Sequence, residues 1–552
     1  MINTFKAVIL LILLPFLVLA QDFPLNPLSS SDWNTSKGKW NVAGDLSIHP
    51  FNNQVAAESG NSVYYSSSVA ELQTAQSFGD LKFEFEMLQS AQTEATLNLG
   101  NGFVINLNNT YDGKKPYLGS VVGSTNALQN VCKATGLWQK VELTFIQGKA
   151  GNPAILERLV INGITIHQNV MKWGLEAKTA PIKINLSKGT IAIRNAAVLG
   201  YGERKPVSIS HISYSLQETE SWQTDFAFTQ KEPIKGTSEV LTAKIPNDFR
   251  HFDLVSKGEM DVAETGDYAF TLDYQGVADL KIDGKSVVGS PEIIFRNPST
   301  GLINLTKGKH SFEYHYKRIW WPAGLGLFVS GPDFRPYRLH DASSLPDPQI
   351  TGGIFVEPTA EKASLLRSFM MFGDEKRTQV ISVGSPSARH FSFDLGTGSI
   401  LYGWKGEFAD VTEMWYERGE PQILKPLGQT VMFSGKPAFE IDGKSSDLKL
   451  DEYYLDKAGI PTFNFLLNGQ LVSQKLIPTS QGISVEVGSE NSSAQYLIAS
   501  ASDIIEVDKG LYKTDNYYIK VPADVSVSRK EVDGKTELRA LANKLESFEI
   551  IW

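Results

Sequence analysis

Two glutamates two residues apart carry the first chemistry worth weighing in this chain. In Leu81-Lys-Phe-Glu-Phe-Glu-Met87 the apolar residues alternate, so Glu84 and Glu86 project from one face of a strand about 7 Å apart. Paired carboxylates about 5–9 Å apart serve as acid and base, or acid and nucleophile, in glycoside hydrolysis. A solvated strand face explains the same pattern and is the preferred reading of the pair. Trp320 and Trp321 in Arg318-Ile-Trp-Trp-Pro322 are adjacent, so a regular strand cannot bury both. One could stack on a sugar ring, or the pair could plug a domain interface. His310 and His315, five apart, fall on opposite faces of a strand and do not share a metal. Trp404, Asp410, Trp415 and Arg418 form a dense polar and aromatic group, more simply read as pinning a loop than as holding a ligand.

These residues sit in a chain of 552, with 42% hydrophobic and 20% charged residues, 46 Gly and one Cys. That length implies several domains with large cores. A formal charge of −9 argues against nucleic acid. One thiol, Cys132, excludes an internal disulfide, a cluster of cysteine metal ligands and a haem-attachment pair. No cofactor and no metal site is expected.

Met1–Ala20 reads as an export signal. Lys6 precedes an apolar run from Ala7 to Leu19, Pro15 lies near its end, and Val18 and Ala20 suit cleavage before Gln21. The run is short of the roughly 20 residues that span a bilayer. An exported protein, periplasmic or extracellular, with no membrane span is expected.

Alternating runs such as Lys140-Val-Glu-Leu-Thr-Phe145 and Tyr268-Ala-Phe-Thr-Leu272 predict strands, and helical periodicity is scarce. Asn162-Gly163, Asp283-Gly284, Asp442-Gly443, Asn468-Gly469 and Asp533-Gly534 predict two-residue hairpins. The fold class is therefore all-β. The one clear helix candidate is Thr359–Phe372, with Thr359 as its N-cap, at the end of a Pro-punctuated linker. The boundaries fall at 1–20 for the signal, 21–215, 216–345, a 346–372 linker with a short helix, and 373–552.

Residues 22–215 resemble the bacterial 3-keto-disaccharide hydrolase family. The resemblance lies in Asp32-Trp33, Gly38-Lys-Trp-Asn-Val42, Gly79-Asp80-Leu-Lys-Phe-Glu-Phe-Glu86, Gly136-Leu-Trp-Gln139, Val160-Ile-Asn-Gly163 and Ile193-Arg-Asn195. It implies a concanavalin-like β-sandwich acting on glycosides. Trp33, Trp40 and Trp138 are read as core fillers rather than sugar platforms. The chain departs from the family where polar groups would line the concave face. Phe103-Val-Ile-Asn-Leu107 with Asn109 puts Val104 and an amide where acids stand, Thr93–Leu99 lacks an Arg, and Ser187-Lys188-Gly189 replaces Asp-His-Gly. Glu86, Arg194 and Asn195 are what remains of the polar set, and Asn106, Asn109 and Arg194 can still hydrogen-bond hydroxyls. Hydrolysis needs a proton donor for the leaving oxygen. Binding of a glycan or 3-keto sugar without catalysis is the preferred expectation. An active hydrolase using Glu86 with Arg194 is the alternative, so enzymatic activity is left open.

Residues 216–345 resemble the carbohydrate-associated β-barrel of the anthrax protective antigen, through Thr265-Gly-Asp-Tyr-Ala-Phe-Thr-Leu272, Ala278-Asp-Leu-Lys-Ile-Asp-Gly284 and Leu305-Thr-Lys-Gly-Lys-His310. Its calcium-holding acid pair is missing from Asp273-Tyr-Gln-Gly-Val277, and Asp273 and Asp279 are too few. Sugar-binding residues expected here are Trp320 and Trp321. Residues 373–552 resemble a β-rich accessory domain found beside c-type cytochrome modules, through Gln379-Val-Ile-Ser-Val-Gly-Ser-Pro386, His390-Phe-Ser-Phe-Asp-Leu395 and Met414-Trp-Tyr-Glu-Arg-Gly419. That likeness implies, as a further alternative, a scaffold for a partner redox protein.

Overall fold

The computed structural model describes residues 23–100, 102–149, 151–174, 178–221, 227–289, 298–319, 322–345, 353–415, 422–444 and 448–552. The export signal, Trp320, Trp321 and Arg418 lie outside the described residues. The chain divides into two compact units. One contains 199–350 with the chain start to Leu25, and the other combines Asn26–Val198 with Thr351–Trp552. Both are all-β: the single α-helix among the described residues is Thr412–Trp415. None of the described helices is long and apolar enough to cross a membrane.

In the larger unit, residues 26–198 form two facing antiparallel sheets. The eight-stranded sheet runs Ile164–Lys172, Ala154–Ile161, Gln139–Ile146, Asp80–Gln89, Ile191–Tyr201, Val63–Ser66 and Asn41–Ala43, with Asn26–Pro27 added on Ile191–Tyr201. The five-stranded sheet runs Val104–Asn106, Glu94–Leu99, Ala180–Lys188, Ala70–Phe78 and Trp33–Lys37. Alternation sends one face of each sheet inward. Phe83, Phe85, Leu143 and Ile193 of the first meet Leu72, Leu97 and Ile184 of the second in one core. This is the expected sandwich.

Residues 351–552 build a five-stranded sheet from Ser364–Phe372 to Gln429–Met432, an eight-stranded sheet containing Pro461–Leu467 and Ser547–Ile551, and a four-stranded sheet containing Gln495–Ala501. Phe393 and Phe463 stack across two of them at 4.1 Å, in a core that also holds the terminal Trp552. This segment packs directly on the sandwich. Ala134 and Leu137 join Leu511, Tyr518 and Ile551 in a shared apolar cluster. Around it Tyr518 Oη donates to the Thr135 carbonyl at 3.0 Å, Tyr111 Oη to the Gln481 carbonyl at 2.8 Å, and Gln129 Nε2 to the Leu427 carbonyl at 3.0 Å. The buried Lys405 ammonium donates to the Cys132 carbonyl.

In the other unit a six-stranded sheet, including Val207–Glu218, Phe252–Val262 and Gly308–Arg318, faces a four-stranded sheet centred on Gly266–Gln275 and Gly324–Gly331. Val207–Glu218 pairs along its length with Phe252–Val262, so this unit starts ahead of residue 215. His310 is held by Asp283 at 2.6 Å and His315 by Asp253 at 2.6 Å.

The helix expected over Thr359–Phe372 is corrected to a strand. Ser364–Phe372 pairs with Glu375–Gly384 through a turn at Gly373, whose φ is +58°. The capping signal was a local turn: Thr359 Oγ1 accepts from the Lys362 amide at 3.1 Å and leads into no helix. The apolar run Leu365–Phe372 fits either period, and the turn glycine with its cross-strand partners decides it.

Candidate functional site

Strand alternation gives the five-stranded sheet a polar outer face. Ile182, Ile184 and Leu186 point into the core, so Lys183, Asn185 and Ser187 point out. Ala95, Leu97 and Leu99 likewise turn Glu94, Thr96 and Asn98 outward. Register then aligns side chains across strands: Asn106 pairs with Thr96, Thr96 with Asn185, Asn185 with Glu71 and Glu71 with Lys37. At about 4.8 Å per strand this row is about 19 Å long. It lies in a trough of about 790 Å³, bordered on one side by the Ser120–Asn126 loop and containing Asn108 and Ser187.

The side chains of this row divide by what they already hold. Asn106 is buried; its amide donates to the carbonyls of Pro116 (3.0 Å) and Tyr117 (3.2 Å), and its carbonyl accepts from the Asn108 amide at 2.9 Å. It shapes the wall and seats Asn108. Glu71 accepts from the Ser36 hydroxyl and from Lys183 at 3.1 Å. The Ser36 hydrogen bond, followed by the Lys183 ammonium, outweighs partial burial and holds its carboxyl below the usual glutamate range. Thr96 and Asn185, at the centre, have side chains uncommitted to any other described residue. The Asn98 carbonyl oxygen, one row along, is buried without a partner.

Glu94 also borders the trough, so two carboxylates unmarked by the sequence reading lie there. They do not converge. Glu71 faces Lys183, Glu94 is half exposed with Lys188 at 3.8 Å, and a whole strand, about 10 Å of lateral spacing, separates theirs. Glu71 is held as the anion, so it is not the proton donor that a glycosidic oxygen needs.

The described members of the expected set lie on different parts of the sandwich. Glu86 and Arg194 lie on the outer face of the eight-stranded sheet, on the opposite side of the sandwich from the trough. Arg194 Nε donates to Glu86 Oε2 at 2.7 Å, its guanidinium lies 4.0 Å over Trp138, and Asp45 is 3.7 Å away. Glu84 shares that face and meets Lys140 at 3.5 Å. Asn195 is exposed beside Arg194 with a φ of +50°. Asn109 is structural: it donates to the Ser90 carbonyl (3.0 Å) and Thr135 hydroxyl (3.2 Å) and accepts from the Tyr111 amide (3.1 Å). Of the described members of the expected set only Asn106 borders the trough. Trp33 is in the core, Trp40 packs against it, and Trp138 carries Arg194. Trp404 is buried, with its indole donating to the Phe408 carbonyl at 2.9 Å, as a loop pin would be.

Glu86→Gln should therefore leave ligand binding in the trough unchanged and cost on the order of 1 kcal/mol of stability. Thermal unfolding alongside ligand titration checks both.

The residues that sequence reasoning missed, Thr96, Asn108, Asn185 and Glu71, sit in strands whose alternation is plain. Which polar face lines a trough is set by strand order and by the overhanging loop. Among the described residues no group of three His, Cys, Asp or Glu side chains is placed to hold a metal ion.

No family model and no curated protein matches the chain. Among solved structures it is similar to a provisionally named glycosyl hydrolase from Parabacteroides distasonis, with 13% identity over 30% of this chain and 100% of that one, at a TM-score of 0.21. An anti-sigma factor domain-containing protein from Clostridium clariflavum gives 12% identity over 55% of this chain and 90% of that one, also at 0.21. A GH31 alpha-xylosidase from Xanthomonas citri gives 12% over 57% of this chain and 36% of that one, at 0.20. At these scores the likenesses say nothing about what this chain does.

Proposed function

We propose that the chain is an exported carbohydrate-binding protein whose trough on the five-stranded sheet takes a glycan without hydrolysing it. The observation that carries this reading is the row Asn106–Thr96–Asn185–Glu71–Lys37. Amide, hydroxyl, carboxylate and ammonium groups in register on rigid strands suit an extended polyhydroxyl ligand, whose hydroxyls both donate and accept. Thr96 and Asn185 supply free groups at the centre, and Glu71, already ionised, accepts from hydroxyls. The absence of an aromatic side chain from the described wall favours recognition by ring edges over stacking. The sequence resemblance makes 3-keto-glycosides the first ligands to test.

Asn185→Phe fills the middle of the row from a strand position that tolerates an aromatic side chain. On a glycan array supplemented with 3-keto-glucosides, the unmodified protein should bind a subset and Asn185→Phe should bind none. Equal binding by both would refute the assignment of the trough.

A further inference from the structure

The trough differs at its two ends. At one end Asn106 stands on Val104–Asn106, the edge strand of the five-stranded sheet, and residues 119–122 run alongside it as a further antiparallel rung. The Asn106 backbone amide donates to the Ser120 carbonyl at 2.8 Å, the Gly119 amide to the Asn106 carbonyl at 2.7 Å and the Val122 amide to the Val104 carbonyl at 2.9 Å. Val121 is 2% exposed and packs in the core, so Ser120 and Val122 face the trough. The chain then reverses, with Val121 and Thr125 exchanging backbone hydrogen bonds at 2.8 and 3.2 Å, and Ser124, Thr125 and Asn126 border the trough from this end. The wall is braced. Ser120 Oγ accepts from the Ala127 amide at 2.9 Å, the Lys172 ammonium donates to the Val122 carbonyl at 3.3 Å, and the Asn106 side chain holds Pro116, which also lines this end.

The other end runs out. Lys37 lies on Trp33–Lys37, the opposite edge strand, and is exposed. Among the described lining residues none lies beyond it, and half-exposed Val69 gives that mouth an apolar edge. Between the ends the row is regular, with one outward side chain per strand at about 4.8 Å. A β-1,4-linked glycan is an extended ribbon that advances by a similar distance per sugar, so its hydroxyls keep step with successive strands. A coiling α-linked chain does not. The row of about 19 Å then spans about four sugars.

We infer that the trough is a chain-end site for an extended β-1,4-linked glycan. The terminal sugar sits against Pro116 and the 120–126 loop, the next sugars lie along Thr96, Asn185 and Glu71, and the rest of the chain leaves over Lys37. The inference rests on the reading of the trough as a sugar site and adds to it the linkage and the direction of the chain.

The test is calorimetric titration of the full chain with cello-, xylo-, manno- and chito-oligosaccharides, from disaccharide to hexasaccharide. In the best-binding series affinity should rise as far as the tetrasaccharide and then level off, and Asn185→Phe should remove the binding. Two blocked hexasaccharides of that series then report the chain end, one labelled with 2-aminobenzamide at the reducing end and one carrying a benzylidene acetal at the non-reducing end. One block should weaken binding at least tenfold and the other should leave it unchanged. Unchanged binding of both would mean an interior site open at each end, and loss of both a site closed at each end; either overturns the inference, as does full affinity for the disaccharide or binding that survives Asn185→Phe. If none of the four series binds while other glycans bind on the array, the inference falls and the trough reading stands. If the array shows no binding at all, the trough reading falls and takes the inference with it.

Discussion

Lys405→Met is expected to flatten a rise in stability with pH that the unmodified protein shows between about pH 7 and 8.5. Lys405 is fully buried where the C-terminal segment meets the sandwich, and burial pulls its ammonium down to about 7 from an ordinary value of 10.5. The groups facing it do not compensate. Arg389 and Lys133 are cations, the Cys132 thiol is pushed up by burial, and the ring of Tyr111 lies 5.0 Å from the ammonium. Among the described residues the hydrogen bond to the Cys132 carbonyl is its one direct anchor.

The sign follows from proton counts. Between 7 and 10.5 the unfolded chain keeps the lysine protonated and the folded chain does not, so raising the pH favours folding. The slope is about 1.4 kcal/mol per pH unit. Lys133 and Lys513, also lowered by burial, act in the same direction. Above about pH 9 the buried Cys132 thiol and the Tyr111 phenol, both raised, work against it. Urea unfolding at half-unit steps from pH 7 to 8.5 checks the prediction. A methionine of similar length removes the buried charge, so the Lys405 share of the slope should vanish and stability near pH 7 should rise. Identical slopes in both proteins would mean that the ammonium is solvated.

Glu71→Ala is expected to weaken glycan binding at least tenfold. The substitution removes an acceptor from the row and frees Lys183 and Ser36, which it holds in place. A hydrogen bond to a charged group contributes about 1.5–3 kcal/mol, so loss of a single ligand contact to the carboxylate is enough for a tenfold change. Because Ser36 and Lys183 depress the Glu71 pKa, the carboxylate persists throughout pH 5–9. The interaction is present above the ordinary glutamate value of 4.5 and disappears as pH falls through the lower folded value. Binding should therefore be flat from about pH 5 to 9 and fall only in stronger acid. A catalytic acid would give the opposite signature, with function lost as pH rises through neutrality. Titration across this range distinguishes the two.

Much of the fold was legible because β-structure writes itself locally. The five Asn-Gly and Asp-Gly pairs that predict hairpins, from Asn162-Gly163 to Asp533-Gly534, take positive φ at both positions, as two-residue hairpins require, with Asn162 at +52° and Gly163 at +82°. The alternation of Leu81–Met87 placed Phe83 and Phe85 inward and both glutamates outward. Ser364–Phe372 failed because an apolar run has no period to read and a threonine turn imitates a helix cap.

The site was less legible for a different reason. Glu86 and Arg194 caught attention as charged residues in recognisable stretches, yet they satisfy each other. Asn185 and Thr96 are ordinary polar positions in ordinary strands, and become a row only when Ala180–Lys188 lies between Glu94–Leu99 and Ala70–Phe78. Cross-strand register is a long-range property that single-strand periodicity does not contain. The packing of residues 351–552 onto the sandwich through Tyr518, Tyr111 and Lys405 is long-range in the same sense.

The central claim, a sugar trough without hydrolytic chemistry, is tested most directly by incubating the unmodified protein with the tightest-binding glycan or 3-keto-glucoside and measuring product. The account predicts saturable binding and no cleaved product above the uncatalysed background. Turnover that disappears in Glu71→Gln or Glu94→Gln, while Glu86→Gln retains it, would contradict the account and make the two trough carboxylates a working pair.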